Sequence, residues 1–231
     1  MRLTVDHSST YTYEHGVSYA LQQVRKRPIS LPSQSILSWD VSIEGAHWET
    51  SYTDHHGNLV DLIQLEPDVM SVSVSVKGEV ETHDTRRMTR LVTWGGTVTM
   101  PAKGLRALAG KFSRSPSQDI GVLHELMVEI ADKVAYRTNE TDSRTTAEDA
   151  LQQGQGVCQD HAHIFITVAR LLGYPARYVS GYLMMTDRVD QDAGHAWAEA
   201  WVDGLGWTGF DVSNGISPDA RYIQVATGLD Y

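Results

Sequence analysis

Ser71-Val72-Ser73-Val74-Ser75-Val76 alternates strictly between polar and apolar residues. This is the period of a strand that turns its valines to a core and its serines to solvent or to a second face. Shorter alternations occur at Leu3-Thr4-Val5 and Tyr11-Thr12-Tyr13. Asp54-His55-His56-Gly57-Asn58 is a cluster of turn formers between two strand-like runs, Trp48 to Thr53 and Leu59 to Leu65. Short strands separated by turns predict an antiparallel, sandwich-like region over residues 1–95.

The period changes after Trp94-Gly95-Gly96. Residues 96–117 read as a linker carrying a short helix around Leu105 and Leu108. Leu123, Leu126, Met127, Ile130 and Val134 then recur at helical spacing, as one apolar face of an amphipathic helix. Thr145 and Glu148 have the spacing of a capping box, which predicts a helix over Ala147 to Gln153. Gly154-Gln155-Gly156 interrupts the chain. From Cys158 to Leu172 the residues are apolar nearly all round, which predicts a helix buried in a core and stopped by Gly173 and Pro175. Three strands are expected after it: Arg177 to Met185, His195 to Val202, and Trp207 to Asp211. Asp203-Gly204-Leu205-Gly206 makes the last two a hairpin. Residues 118–231 therefore form a mixed core, and the chain as a whole belongs to the α+β class.

Composition narrows the possibilities. A chain of 231 residues is long enough to bury a sizeable core. Its 29 acidic and 19 basic residues give a net charge of −10, which argues against nucleic acid or an anionic membrane as a partner. Arg86, Arg87, Arg90, Lys103, Arg106, Lys111 and Arg114 lie in an acid-free stretch that reads as a solvated face. The N-terminus shows no signal peptide and no stretch is long and apolar enough to span a membrane. With one cysteine no intrachain disulfide is possible. A lone thiol that must stay reduced points to the cytoplasm.

That cysteine is the first candidate for chemistry. Cys158 follows a glycine turn and opens a helix, where unpaired backbone N–H groups favour a thiolate and a developing oxyanion. Most single cysteines are buried structural residues, so the case rests on what accompanies it. His195 begins the strand His195-Ala196-Trp197-Ala198-Glu199-Ala200-Trp201, whose alanines share one face and suit close packing on the Cys158 helix. If the hairpin closes around Gly204, Asp211 opposes Trp197 and lies diagonal to His195 on the same face. A slip of one residue would turn it away. His161 and His163 suggest a metal site beside Cys158 and Asp160, but on a helix they diverge by about 200°. No metal and no cofactor are expected.

Three motifs carry a family resemblance: Gly156-Val157-Cys158-Gln159-Asp160, Gly194-His195-Ala196-Trp197-Ala198-Glu199, and Gly206-Trp207-Thr208-Gly209-Phe210-Asp211. In order and separation they resemble the transglutaminase-like superfamily, in its bacterial branch with a β-rich N-terminal region. The resemblance implies a papain-like, transglutaminase-like core with Cys158 as nucleophile, His195 as general base and acid, and Asp211 as the orienting residue. It implies thioester chemistry on an amide, with a peptide or protein amide as the substrate. Hydrolysis by a peptidase or amidase is the leading expectation. Protein crosslinking by acyl transfer to an amine, or a binding module that keeps the fold, are the alternatives. For a second oxyanion donor the resemblance offers Gln152 or Tyr136. Two departures stand out. The position after Cys158-Gln159-Asp160, often aromatic in this branch, is His161. Relatives also usually continue for some tens of residues past Gly228-Leu229-Asp230-Tyr231, so the core is expected to be truncated at its C-terminus.

Overall fold

The computed structural model describes residues 1–83, 97–114, 119–185 and 194–230. Arg86, Arg87, Arg90 and the Trp94-Gly95-Gly96 breakpoint lie outside the described residues. The chain divides into two compact units. The first is Met1–Asp84 with Ala220–Ala226 and a short piece beginning at Met184; the second is the remainder.

The first unit holds strands β1 (Arg2–Val17), β2 (Leu21–Arg27), β3 (Gln34–Glu44), β4 (Ala46–Thr53), β5 (Leu59–Leu65) and β6 (Val69–Thr82). They form two antiparallel three-stranded sheets, ordered β1-β6-β3 and β2-β5-β4. The alternating valines explain why β6 is central: Val72, Val74, Val76 and Val80 are buried. Val72 packs with Ile63 and Leu65 of the other sheet, so the region is a sandwich. The serines do more than face solvent. Ser75 meets Ser8 across the strands at 2.9 Å and Ser73 meets Thr10 at 2.8 Å. These hydroxyl pairs carry β1 through a polar stretch, so Leu3-Thr4-Val5 and Tyr11-Thr12-Tyr13 belong to one strand and not two. The predicted turn is present between β4 and β5, with Asp54 accepting from the backbone N–H groups of His56 and Asn58.

The second unit contains α1 (Lys103–Ala109), α2 (Asp119–Lys133), β7 (Ala135–Tyr136), α3 (Ala147–Gln153), β8 (Gln155–Gly156) and α4 (Cys158–Leu171). The strands β9 (Ala176–Leu183), β10 (His195–Val202) and β11 (Gly206–Phe210) follow, while β12 (Tyr222–Gly228) lies mostly in the first unit. Strands β9, β10 and β11 pair antiparallel in the order β11-β10-β9. Helix α4 is buried along nearly its whole length, including its polar side chains Asp160, His161, His163, Thr167 and Arg170. Ala196, Ala198 and Ala200 of β10 are buried in the same cluster as Ala162, Phe165 and Ala169 of α4. Small side chains on that face let the helix lie close to the sheet. Helix α1, in the stretch read as a linker, buries Leu105 and Leu108 in this same core.

One capping expectation is corrected. The residue that caps α3 is Thr146, not Thr145: its hydroxyl accepts from Asp149 N at 3.2 Å and Asp149 accepts from Thr146 N at 3.2 Å. Thr146 has the extended backbone that a cap requires. Glu148 instead reaches α1, where its carboxylate accepts from Gly104 N at 2.7 Å and Leu105 N at 2.9 Å. Both threonine-acid pairs share the required spacing, and the position of the first helical residue decides between them.

Candidate active site

The cysteine turn is built from both sides. Gly154 ends α3 in the left-handed conformation. The two short strands β7 and β8 then pair in parallel, placing Tyr136 beside Gly156. Gly156 has no room for a side chain, since a Cβ there would stand 2.7 Å from the Asp160 Cβ. The Asp160 carboxylate folds back over this turn, accepting from Val157 N at 2.8 Å and from the Thr141 hydroxyl at 2.7 Å. One of the orphan donors at the start of α4 is satisfied in this way. Cys158, the first helical residue, is left 9% exposed.

His195 and Asp211 come from the hairpin. Ala198 pairs with Phe210 and Trp201 with Trp207, the register expected for closure around Gly204. Gly204 and Gly206 both take positive φ, as the tight connection demands. Asp211 follows β11 directly, and its backbone bridges to Ile216. His195 Nε2 lies 2.6 Å from Asp211 Oδ2. Cys158 lies close enough to the His195 ring to act on it, and after Asp211 it is the group that most raises the imidazole. With Nε2 committed to Asp211, Nδ1 is the nitrogen left to face the sulfur. The structure thus brings Cys158, His195 and Asp211 together.

Electrostatics favour a charged ring. Burial is the largest single influence on His195 and favours the neutral form. Hydrogen bonds to Asp211 and then Cys158, together with their charges, outweigh it and raise the imidazole to about 9. Asp211 is fully buried. Its Oδ2 also accepts from Asn214 Nδ2 at 2.7 Å, and its Oδ1 accepts from Asn214 N at 3.3 Å. Sequence reasoning missed Asn214. The signal was present, because an Asp followed three residues later by Asn and then Gly215 is the composition of a side-chain-supported turn.

Gln152 and Tyr136 are differently placed. The Gln152 amide donates to Glu148 Oε1 at 3.0 Å, on the side of α3 that caps α1. Tyr136 sits on the strand paired with the cysteine turn, half exposed, with its ring 6.2 Å from that of His161. His161 and His163 do not converge. His161 lies 2.9 Å from both Val134 O and Ser213 Oγ. His163 packs on Tyr178, and burial, with the charge of Arg170, lowers it to about 4. Among the described residues no group of three or more His, Cys, Asp or Glu side chains is placed to hold a metal ion.

The description of the transglutaminase-like superfamily matches residues 106–212, and that of the bacterial transglutaminase-like N-terminal region matches residues 3–81. The chain belongs to the transglutaminase-like superfamily. Its α+β fold, a β-sandwich region followed by a transglutaminase-like core, agrees with that membership. An uncharacterized protein of Mycobacterium leprae is 28% identical over 251 residues, covering 100% of this chain and 89% of that protein. An uncharacterized protein of Mycobacterium tuberculosis is 38% identical over 122 residues, covering 48% of this chain and 39% of that one. The crystal structure of a candidate cysteine protease from Cytophaga hutchinsonii superposes with a TM-score of 0.74 at 25% identity, covering 100% of this chain and 82% of that one. Among the described residues no helix is long and apolar enough to cross a membrane.

Proposed function

We propose that this superfamily member is a thiol-dependent amide hydrolase, a peptidase or amidase, with Cys158 as nucleophile. The observation that carries the reading is the His195 ring, 2.6 Å from Asp211 Oδ2 and near enough to Cys158 for the thiol to raise it. A cationic ring beside the sulfur favours a thiolate. The sulfur attacks the amide carbonyl carbon and the carbonyl π pair moves to oxygen. His195 then protonates the departing nitrogen, the C–N bond breaks, and a thioester on Cys158 remains. Water, deprotonated by His195, attacks the thioester and releases the acid and the thiol. Asp211 holds the ring in one tautomer and orientation throughout. The oxyanion falls at the N-terminus of α4, where the backbone N–H of Cys158 is available. Tyr136, on the strand beside the turn, is the better of the two side-chain donors, because Gln152 is engaged at Glu148.

Hydrolysis is favoured over acyl transfer by the likeness to the Cytophaga hutchinsonii structure, named as a candidate cysteine protease. The substrate is a peptide or protein amide. A thiol enzyme needs a compartment where thiols stay reduced, and the cytoplasm fits. The test is turnover of a panel of peptide and glutamine amides with and without a primary amine. Hydrolysis predicts the free acid in both cases. Product in which the amine has replaced ammonia or peptide would instead identify an acyltransferase.

A further inference from the structure

His161 is buried and takes part in none of the bond-making steps above. Its ring nevertheless joins three pieces of the second unit. Nε2 lies 2.9 Å from the carbonyl oxygen of Val134, just beyond the end of α2. Nδ1 lies 2.9 Å from the Ser213 hydroxyl, in the loop that holds Asp211 and Asn214. The backbone of His161 belongs to α4, three residues after the sulfur.

The chemistry of these partners fixes the proton. A carbonyl oxygen can only accept, so Nε2 carries the hydrogen. Nδ1 of the neutral ring is then bare and accepts from the Ser213 O–H. Burial lowers the His161 pKa, which keeps this neutral tautomer. Ser213 stands between Asp211 and Asn214, the residue whose two N–H groups fix the Asp211 carboxylate. A loop held at Ser213 is therefore a loop in which Asp211 is held against His195.

We propose that His161 and Ser213 are a pair of positioning residues that tie the helix bearing Cys158 to the loop bearing Asp211. The proposal rests on the triad reading above. Losing the tie leaves all three triad residues present but lets the Asp211 loop shift, and a displacement on the ångström scale is enough to weaken a reacting constellation.

The experiment is the rate of Cys158 alkylation by iodoacetamide at pH 7, followed by mass spectrometry of the intact full-length protein. Ser213 is partly exposed, so Ser213→Ala leaves the fold intact, which a thermal melt checks. We expect Ser213→Ala to slow alkylation about tenfold, the effect of one lost hydrogen bond of about 1.4 kcal/mol. Ser213→Thr, which keeps the hydroxyl, should restore the rate to within about twofold. His161→Phe should match Ser213→Ala, and the double variant should be no slower than either single one, because the two side chains act as a unit. Ser213→Ala at the wild-type rate, or a slowing that threonine does not rescue, overturns the proposal. Asp211→Asn separates the two readings: if it too leaves alkylation unchanged, the triad assignment has failed. If it slows alkylation while Ser213→Ala does not, only the tie between His161 and Ser213 has failed.

Discussion

Asp211 shares Oδ2 between His195 and Asn214 and accepts the Asn214 backbone N–H on Oδ1. Its orientation is thereby fixed within a fully buried pocket. Asp211→Asn would put an amide in contact with three donors, and an –NH2 group turned toward His195 would force the other tautomer of the ring. The loss in kcat expected from the wrong tautomer is about 10⁴-fold, the size known for the buried aspartate of serine proteases. Steady-state kinetics on any amide that the wild type turns over checks this, and a loss below about tenfold would remove Asp211 from the orienting role. The approach of Asp211 to His195 was legible in the sequence. Glycines at 204 and 206 fixed the turn, and the turn fixed which residue opposes which. Asn214 and the His161–Ser213 contact were not read, because both depend on how a loop folds back after its strand ends. No periodicity reports that.

Elements were legible where an apolar repeat was long. Helix α4 and strand β10 lie where their patterns put them. Boundaries set by polar groups were harder, because several side chains can make the same hydrogen bond. The cap of α3 shows this: Thr145 and Thr146 are adjacent and each is followed three residues later by an acid. The structure gives the cap to Thr146 and assigns Glu148 to the start of α1. Removing the Thr146 hydroxyl should therefore cost about 1 kcal/mol of unfolding free energy, the usual value of an N-cap. Thr145→Ala should cost less than half as much. Urea titration of the two variants side by side decides it, and the opposite ranking would return the cap to Thr145.

At the scale of the whole molecule, the β-to-mixed transition was readable, but the return of the chain to the first unit was not. Residues 220–226 belong to the first unit, where Gln34 and Gln224 exchange hydrogen bonds of 2.7 and 2.9 Å. Such long-range pairing leaves no local pattern. Whole-molecule stability should carry two histidine signatures of opposite sign. His195 is raised to about 9, so its contribution is complete below the unfolded value of 6.5 and is lost as pH rises through 9. His163 is lowered to about 4, so the unfolded chain takes up a proton that the folded chain refuses, and stability falls as pH drops from 6.5 toward 4. His163→Phe should flatten the acid side of a urea-midpoint profile, and Asp211→Asn should flatten the alkaline side. A wild-type profile flat from pH 4 to 9 would refute both. The most direct test of thiol-dependent acyl chemistry is mass spectrometry of the protein quenched in acid while it turns over a panel of amides. The account predicts an acyl mass on the peptide containing Cys158, erased by hydroxylamine and absent from Cys158→Ala. Product accumulating with no acyl mass on Cys158, or formed by Cys158→Ala at the wild-type rate, would contradict it.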